Sequence, residues 1–313
     1  MLFYAAKRII YTIPVMLVVA IVVFSLLYLA PGDPAAVIAG EQATPQQVEL
    51  VRASLGLDRP FLVRFLEWIG QILSGDLGTS IFSNLPVSQL ILQRIEPTLS
   101  LMVLTLIIAV GLAVPLGILA AWQHNTKTDK CVMTFAAFGF SVPVFVVGYS
   151  LAYVFAVQLK WLPVQGFTPI SQGLGPFLRN LILPAMALGS AYIALIARIT
   201  RAAMLEALAQ DYVRTARAKG LNQFMILSLH VFKNAALPVV TVVGIGVALL
   251  ISGSVITESV FAIPGLGRLT VDAILRRDYP VIQGVVLMFS MVYVLVNLAV
   301  DLIYTLIDPR IRY

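Results

Sequence analysis

Six stretches of the chain, at about 9–30, 99–121, 132–159, 181–197, 237–256 and 281–303, are nearly unbroken apolar runs, and Asp301 is the single charged residue inside them. A helix rises about 1.5 Å per residue, so roughly 20 apolar residues cross a hydrocarbon layer about 30 Å thick. Backbone polar groups in lipid must be satisfied within their own segment, and runs that do not alternate in polarity exclude barrel strands. Each stretch is therefore expected to be a helix. The third is longer than one straight crossing needs, so it is expected to tilt or to project beyond the bilayer. The fourth is short, bounded by Arg179 and Arg198, with Pro184 read in its first turn, where proline is tolerated.

Composition agrees. The 313 residues are 60% apolar and 12% charged, with a mean hydropathy of +0.95, whereas soluble domains carry about 25% charged residues. Disordered chains are poor in apolar residues, which excludes that class too. The lone Cys131 excludes a disulfide framework and any Cys-x-x-Cys metal or redox motif. Lys7-Arg8 before an apolar run resembles a signal peptide. The run is longer than a typical signal core, however, and Ala30 leads into Pro31 rather than a small-residue cleavage site, so a retained first span is expected.

Sidedness follows from the basic residues. With the N-terminus in the cytoplasm, the inward pieces (1–8, 122–131, 198–236 and 304–313) hold 12 Lys and Arg in 67 positions, and the outward pieces hold 9 in 113. The positive-inside rule therefore predicts that both termini are cytoplasmic. The bases form no single stripe, so the net charge of +6 reads as topology and not as a nucleic-acid surface.

Three polar pieces stand out. The outward segment 31–98 is too long for a plain connector. Thr44-Pro45-Gln46-Gln47 reads as a capping box with proline at the first helical position, Gly56 as the glycine that ends that helix, and a second helix is predicted from Phe61 to Gly75. It reads as a small cap packed on the spans, as a docking surface for an external partner, or both. The inward segment 198–236 is Ala-rich and basic, and predicts a helix from about 202 to 219 stopped by Gly220, then a second from Asn222 toward Asn234, with Pro238 opening the fifth span. It fits equally a surface gripped by another protein and a basic helix lying on anionic headgroups. In the loop 257–280, Pro264-Gly265 marks a turn, and Asp278 is expected to neutralise a neighbouring arginine.

Much chemistry is excluded. No lysine follows a glycine, so there is no Walker A loop, and neither H-E-x-x-H nor G-x-S-x-G occurs. His124 and Cys131 share one short loop, which is too few ligands for a metal site. The polar groups within the spans that could line a pathway or serve structurally are Ser141, Asn297 and Asp301, the last two on one helix face. An intramembrane carboxylate is a functional candidate, and a secondary carrier with Asp301 as its proton relay is the competing reading; a non-transporting membrane scaffold is a third. A carrier would ordinarily show more buried carboxylates and paired broken helices.

Several short strings carry a resemblance in their order and spacing. They are Pro31-Gly32-Asp33-Pro34-Ala35, Leu55-Gly56-Leu57-Asp58, Gly75-Asp76-Leu77-Gly78-Thr79-Ser80, Ser141-Val142-Pro143, the run from Asp211 through Tyr212, Val213, Arg214, Thr215, Ala216, Arg217, Ala218, Lys219 and Gly220 to Leu221, and Asp308-Pro309-Arg310. Over nearly its full length the chain resembles the inner-membrane permease subunits of bacterial ABC importers of the dipeptide, oligopeptide and nickel branch. The resemblance implies an all-α integral membrane protein of six transmembrane helices. An external helical insertion (31–98) follows the first span (1–30), and a permease core (99–313) carries a cytoplasmic coupling helix at about 205–222 between the fourth and fifth spans. It further implies a non-enzymatic translocation subunit in the lipid bilayer of the bacterial inner membrane. Its partners would be a second homologous permease, a periplasmic substrate-binding protein and two ATPase subunits that hold ATP and Mg. Residues 211–221 look like the importer EAA region, which docks on the ATPase, and this favours docking over lipid contact. The usual acidic position, six before Gly220, is Arg214 here, with the carboxylate at Asp211. Substrates of this branch include dipeptides, longer peptides, glutathione, opines and nickel chelates.

Overall fold

The computed structural model describes residues 2–29, 33–40, 43–54 and 56–307. Pro31, Gly32, Leu55 and Asp308-Pro309-Arg310 of the strings above lie outside these residues. The described residues form helices α1 (Leu2–Leu29), α2 (Pro34–Ala39), α3 (Pro45–Ser54), α4 (Phe61–Leu73), α5 (Val87–Trp122), α6 (Lys127–Ser141), α7 (Val144–Leu151), α8 (Leu174–Leu208), α9 (Asp211–Ala218), α10 (Gln223–Met225), α11 (Phe232–Val260), α12 (Leu266–Arg276) and α13 (Tyr279–Ile307). A π-helical turn, Ala152–Gln158, extends α7, and another, Ile226–Val231, joins α10 to α11. There is no β-strand among the described residues, only an isolated bridge between Thr79 and Pro86. Among the described residues, five helical segments are long and apolar enough to cross a membrane, and the bent pair Lys127–Ser141 and Val144–Gln158 makes a sixth if taken as one span.

The third stretch is not the single helix, tilted or projecting beyond the bilayer, that was expected. It bends by 106° between α6 and α7. Val142 (φ −89°, ψ 127°) and Pro143 (φ −57°, ψ 140°) are both extended. Proline has no N–H to continue the ladder, and its ring pushes the preceding residue out of the helical region. The fourth stretch is longer than expected, since α8 runs 35 residues without stopping at Arg198, and Pro184 is buried in its interior rather than in its first turn. Pro238 likewise lies inside a helix that has already begun at Phe232.

The chain divides into two compact units, one built chiefly on Glu96–Arg268, the other on Ala6–Ile95 with Leu269–Val294. In the first, α8 is the axis: 67% of its most apolar window is buried. Small residues allow this. A Cβ at Gly117 would stand 2.7 Å from the Ala197 carbonyl oxygen, and one at Gly246 would enter the Tyr192 ring, whose hydroxyl donates to the Val243 carbonyl. Close backbone approach is how membrane helices gain contact when lipid is as apolar as their side chains.

In the second unit the expected caps are present. The Gln47 N–H donates to Thr44 Oγ1, and the Thr44 N–H donates to Gln47 Oε1 at 2.8 Å. Gly56 and Gly75 have φ of +61° and +87°. Phe24 of α1 meets Phe65 and Trp68 of α4 edge-on or tilted, at 5.5 and 5.2 Å between ring centroids. Asp278, however, pairs with no arginine among the described residues. It is buried and accepts from Ser80 Oγ at 2.5 Å and from the Ile81 N–H at 3.2 Å, fastening the loop that follows Gly75-Asp76-Leu77-Gly78.

Candidate functional site

The predicted helix over 202–219 is two helices. α8 ends at Leu208, Gln210 is extended (ψ 150°), and α9 starts afresh at Asp211. The stretch 205–222, expected to be one coupling helix, contains the end of α8, a break, and the separate helix Asp211–Ala218. Asp211 sits in its first turn and Arg217 in its last, each complementing the helix dipole.

Two inward residues mount α9. Val213 and Ala216, three apart, are buried in one apolar cluster with Met204 and Ala207 of α8 and Ile226, Leu227 and Val231 of the π-helical turn. Tyr212 gives a side tether, its hydroxyl accepting from Asn234 Nδ2 at 2.9 Å. Asp211, Arg214, Thr215, Arg217, Ala218 and Lys219 remain exposed. Their side chains carry one negative and three positive charges. The Asp211–Arg214 ion pair is long, at 3.5 Å, and open to solvent, so it adds little to stability.

The end of α9 is sharply defined. The Leu221 N–H bonds to the Ala216 carbonyl and the Gly220 N–H to that of Arg217. Gly220 has φ +73°, and Leu221 packs back into the same apolar cluster. This is a complete Schellman motif with its hydrophobic contact. The result is a two-turn helix with an exposed polar face and a tight stop, joined through Ala209-Gln210 to α8 on one side and through α10 and the π-helical turn to α11 on the other.

Above this surface lies a charged tie that sequence reasoning missed. Arg201 Nε and Nη2 donate to the two oxygens of Asp129 at 2.6 and 2.7 Å, and His124 Nδ1 lies 3.1 Å from Nη2. Asp129 is buried in the polar first turn of α6, ahead of the apolar stretch, and Arg201 holds its carboxyl down at a pKa of about 2. The loop between the second and third stretches is thereby fixed to α8. Glu258 was missed as well. Fully buried, it accepts from Thr98 Oγ1 at 2.6 Å and from the Arg268 N–H at 2.9 Å, and the loop with Gly265 and Gly267 folds over it. The signal available in the sequence was the pair of glycines, spaced to let backbone lie directly on a carboxylate.

The other polar candidates lie elsewhere. Ser141, at the end of α6, donates to its own helix at the Ala137 carbonyl. Asn297 and Asp301 are half-buried on α13. None of the three belongs to the α9 surface.

Residues 113–313 match the family described as binding-protein-dependent transport system inner membrane component, and residues 1–102 match the corresponding N-terminal family. The chain is 55% identical over 310 residues to the "Probable peptide ABC transporter permease protein y4tP" of Sinorhizobium fredii, covering 99% of each chain. It is 44% identical over 313 residues to the glutathione transport system permease protein GsiC of Salmonella typhi, covering both chains completely. A solved inward-facing structure of the MetNI methionine ABC transporter shares the fold, with a TM-score of 0.60 at 18% identity over 70% of this chain and 97% of that one.

Proposed function

The chain belongs to the family of inner-membrane components of binding-protein-dependent transport systems, and from that membership we propose that it is the translocation subunit of an ATP-driven importer of short peptides or closely related small polar solutes. Identity over essentially the whole chain to permeases named for peptide and glutathione transport supports this substrate class. The full complex pairs this chain with a second, homologous permease, two ATPase subunits that bind ATP and Mg, and a substrate-binding protein. Both termini and α9 face the cytoplasm, and residues 31–98 form the external insertion.

The observation that carries the mechanism is α9 itself. Its inner face, Val213 and Ala216, shares one buried cluster with α8 and with the π-helical turn that leads into α11, while Asp211, Arg214, Thr215, Arg217 and Lys219 stay exposed. A helix held this way moves with the spans it joins. Closure of the ATPase subunits on ATP displaces α9, the spans rock, and the pathway alternates between its two sides. A population shift of this kind needs differential contacts in the two states, and an exposed polar face on a rigidly mounted helix can supply them.

The test is cross-linking. With Cys131→Ser as background, a cysteine introduced by Thr215→Cys is expected to cross-link to a co-purified ATPase subunit and to stay unreactive toward impermeant thiol reagents in intact cells. Absence of any nucleotide-hydrolysing partner, or labelling from outside, overturns the proposal.

A further inference from the structure

Phe224, Met225 and Leu229 are large and apolar, yet 77%, 43% and 61% exposed. They lie on α10 and the π-helical turn after it, the same segment that buries Ile226, Leu227 and Val231 in the cluster holding α9. Five residues separate Phe224 from Leu229 and Ile226 from Val231, which is the hydrogen-bond spacing of a π-helix. One face of the turn is therefore buried and the other open. The open face is held in place by its backbone. Asn222 Oδ1 accepts from the Phe224 N–H at 3.0 Å, and the Ser228 hydroxyl donates to the Phe224 carbonyl at 2.8 Å.

Lipid does not reach this patch. The helical segment Gln223–Val260 has 38 residues, about 57 Å along its axis, nearly twice the hydrocarbon thickness. The apolar stretch at 237–256 accounts for the crossing, and the exposed Lys233 and Asn234 stand just before it. Phe224 comes thirteen residues before Leu237, about 20 Å along the helix. Even a 40° tilt leaves roughly 15 Å, whereas the headgroup layer adds only about 5–8 Å. The surroundings are basic. Arg214, Arg217 and Lys219 are exposed just ahead of the patch and Lys233 just after it, and no acidic residue stands between Asp211 and Glu258 in the sequence.

We propose that Phe224, with Met225 and Leu229, is an apolar anchor for the ATPase subunit, seated in an apolar pocket whose rim carries carboxylates. An apolar centre with a charged rim is the ordinary anatomy of a protein interface, and a buried aromatic is its commonest hot spot. The proposal rests on the transport function above and adds to it a second point of attachment. A grip on α9 alone acts first on α8, which directly precedes it. A grip on α10 acts on α11, which the π-helical turn continues into. One motor thereby displaces both spans together.

The full complex in detergent tests this through retention of the co-purified ATPase subunits. Phe224→Ala is expected to weaken their binding on the order of tenfold, and Phe224→Leu, which stays apolar, to keep most of it. Salt screens charge contacts, so the Phe224→Ala defect is expected to persist at high salt. As a second measurement, Phe224→Cys in the Cys131→Ser background is expected to react fast with an impermeant maleimide when the chain is alone in inverted vesicles. Bound ATPase subunits are expected to slow that reaction on the order of tenfold. Equal retention by wild type and Phe224→Ala overturns the proposal and leaves the transport function standing. So does slow labelling of the chain alone, which would mean that lipid or the chain itself already covers the patch. Failure of any ATPase subunit to bind wild type overturns both.

Discussion

Gly220 and Gly265 show how differently two glycines constrain one chain. At Gly220 a Cβ would meet nothing within 4 Å, yet φ is +73°. Any cost of substitution is conformational, about 1–2 kcal/mol for an ordinary residue and more for a β-branched one. Gly220→Val is therefore expected to leave the chain folded while it loosens the stop of α9 and uncouples uptake from ATP hydrolysis; unchanged uptake and ATPase stimulation would refute the role given to the turn. At Gly265 the situation reverses. A Cβ would lie 2.4 Å from the Glu258 carboxylate, so Gly265→Ala is expected to lower the melting temperature in detergent or abolish expression. The Arg201–Asp129 tie makes a pH statement. Asp129 falls from 3.8 to about 2 on folding, so its stabilisation, roughly 2 kcal/mol, is complete above about pH 4 and drains away as pH falls toward 2. Arg201→Gln is expected to remove this acid-side slope from a melting-temperature profile and to lower stability at neutral pH.

Among the elements, those with local punctuation were legible and those broken by tertiary context were not. Thr44 with Gln47, and the glycines at 56, 75 and 220, name their helix ends in sequence because cap chemistry is local. The break at Ala209-Gln210 has no glycine or proline to announce it. It follows from the burial of Val213 and Ala216 against α8 and the π-helical turn, partners that no window along the chain reveals. The bend at Val142-Pro143 did carry a proline, but one embedded in a continuous apolar run, where membrane helices often tolerate it. Asp278 was assigned to a neighbour in sequence, whereas its partner Ser80 lies 198 residues away. Glu258 and Thr98 are 160 apart. If the burial of Val213 is what mounts α9, Val213→Asp puts an uncompensated charge into that contact. It is expected to free the helix: protease nicking near Gln210 should rise sharply, while the spans remain inserted.

For the whole molecule, Cys131 supplies a built-in reporter. It is the only cysteine of the chain and is exposed near the start of α6. In the proposed topology, which rests on the distribution of basic residues, it faces the cytoplasm. An impermeant maleimide is expected to leave intact cells unlabelled and to modify inverted vesicles; labelling of intact cells would invert the proposed topology.

α8 spans 35 residues, about 52 Å, well beyond the roughly 30 Å of hydrocarbon. The Arg201–Asp129 tie grips it seven residues from its Leu208 end and 27 from its Leu174 end. Under the proposed rocking, a turn of α8 and its packed neighbours about that point has arms of about 10 and 40 Å, so a stroke of about 1 Å at the short end becomes an excursion of roughly 4 Å at the far tip.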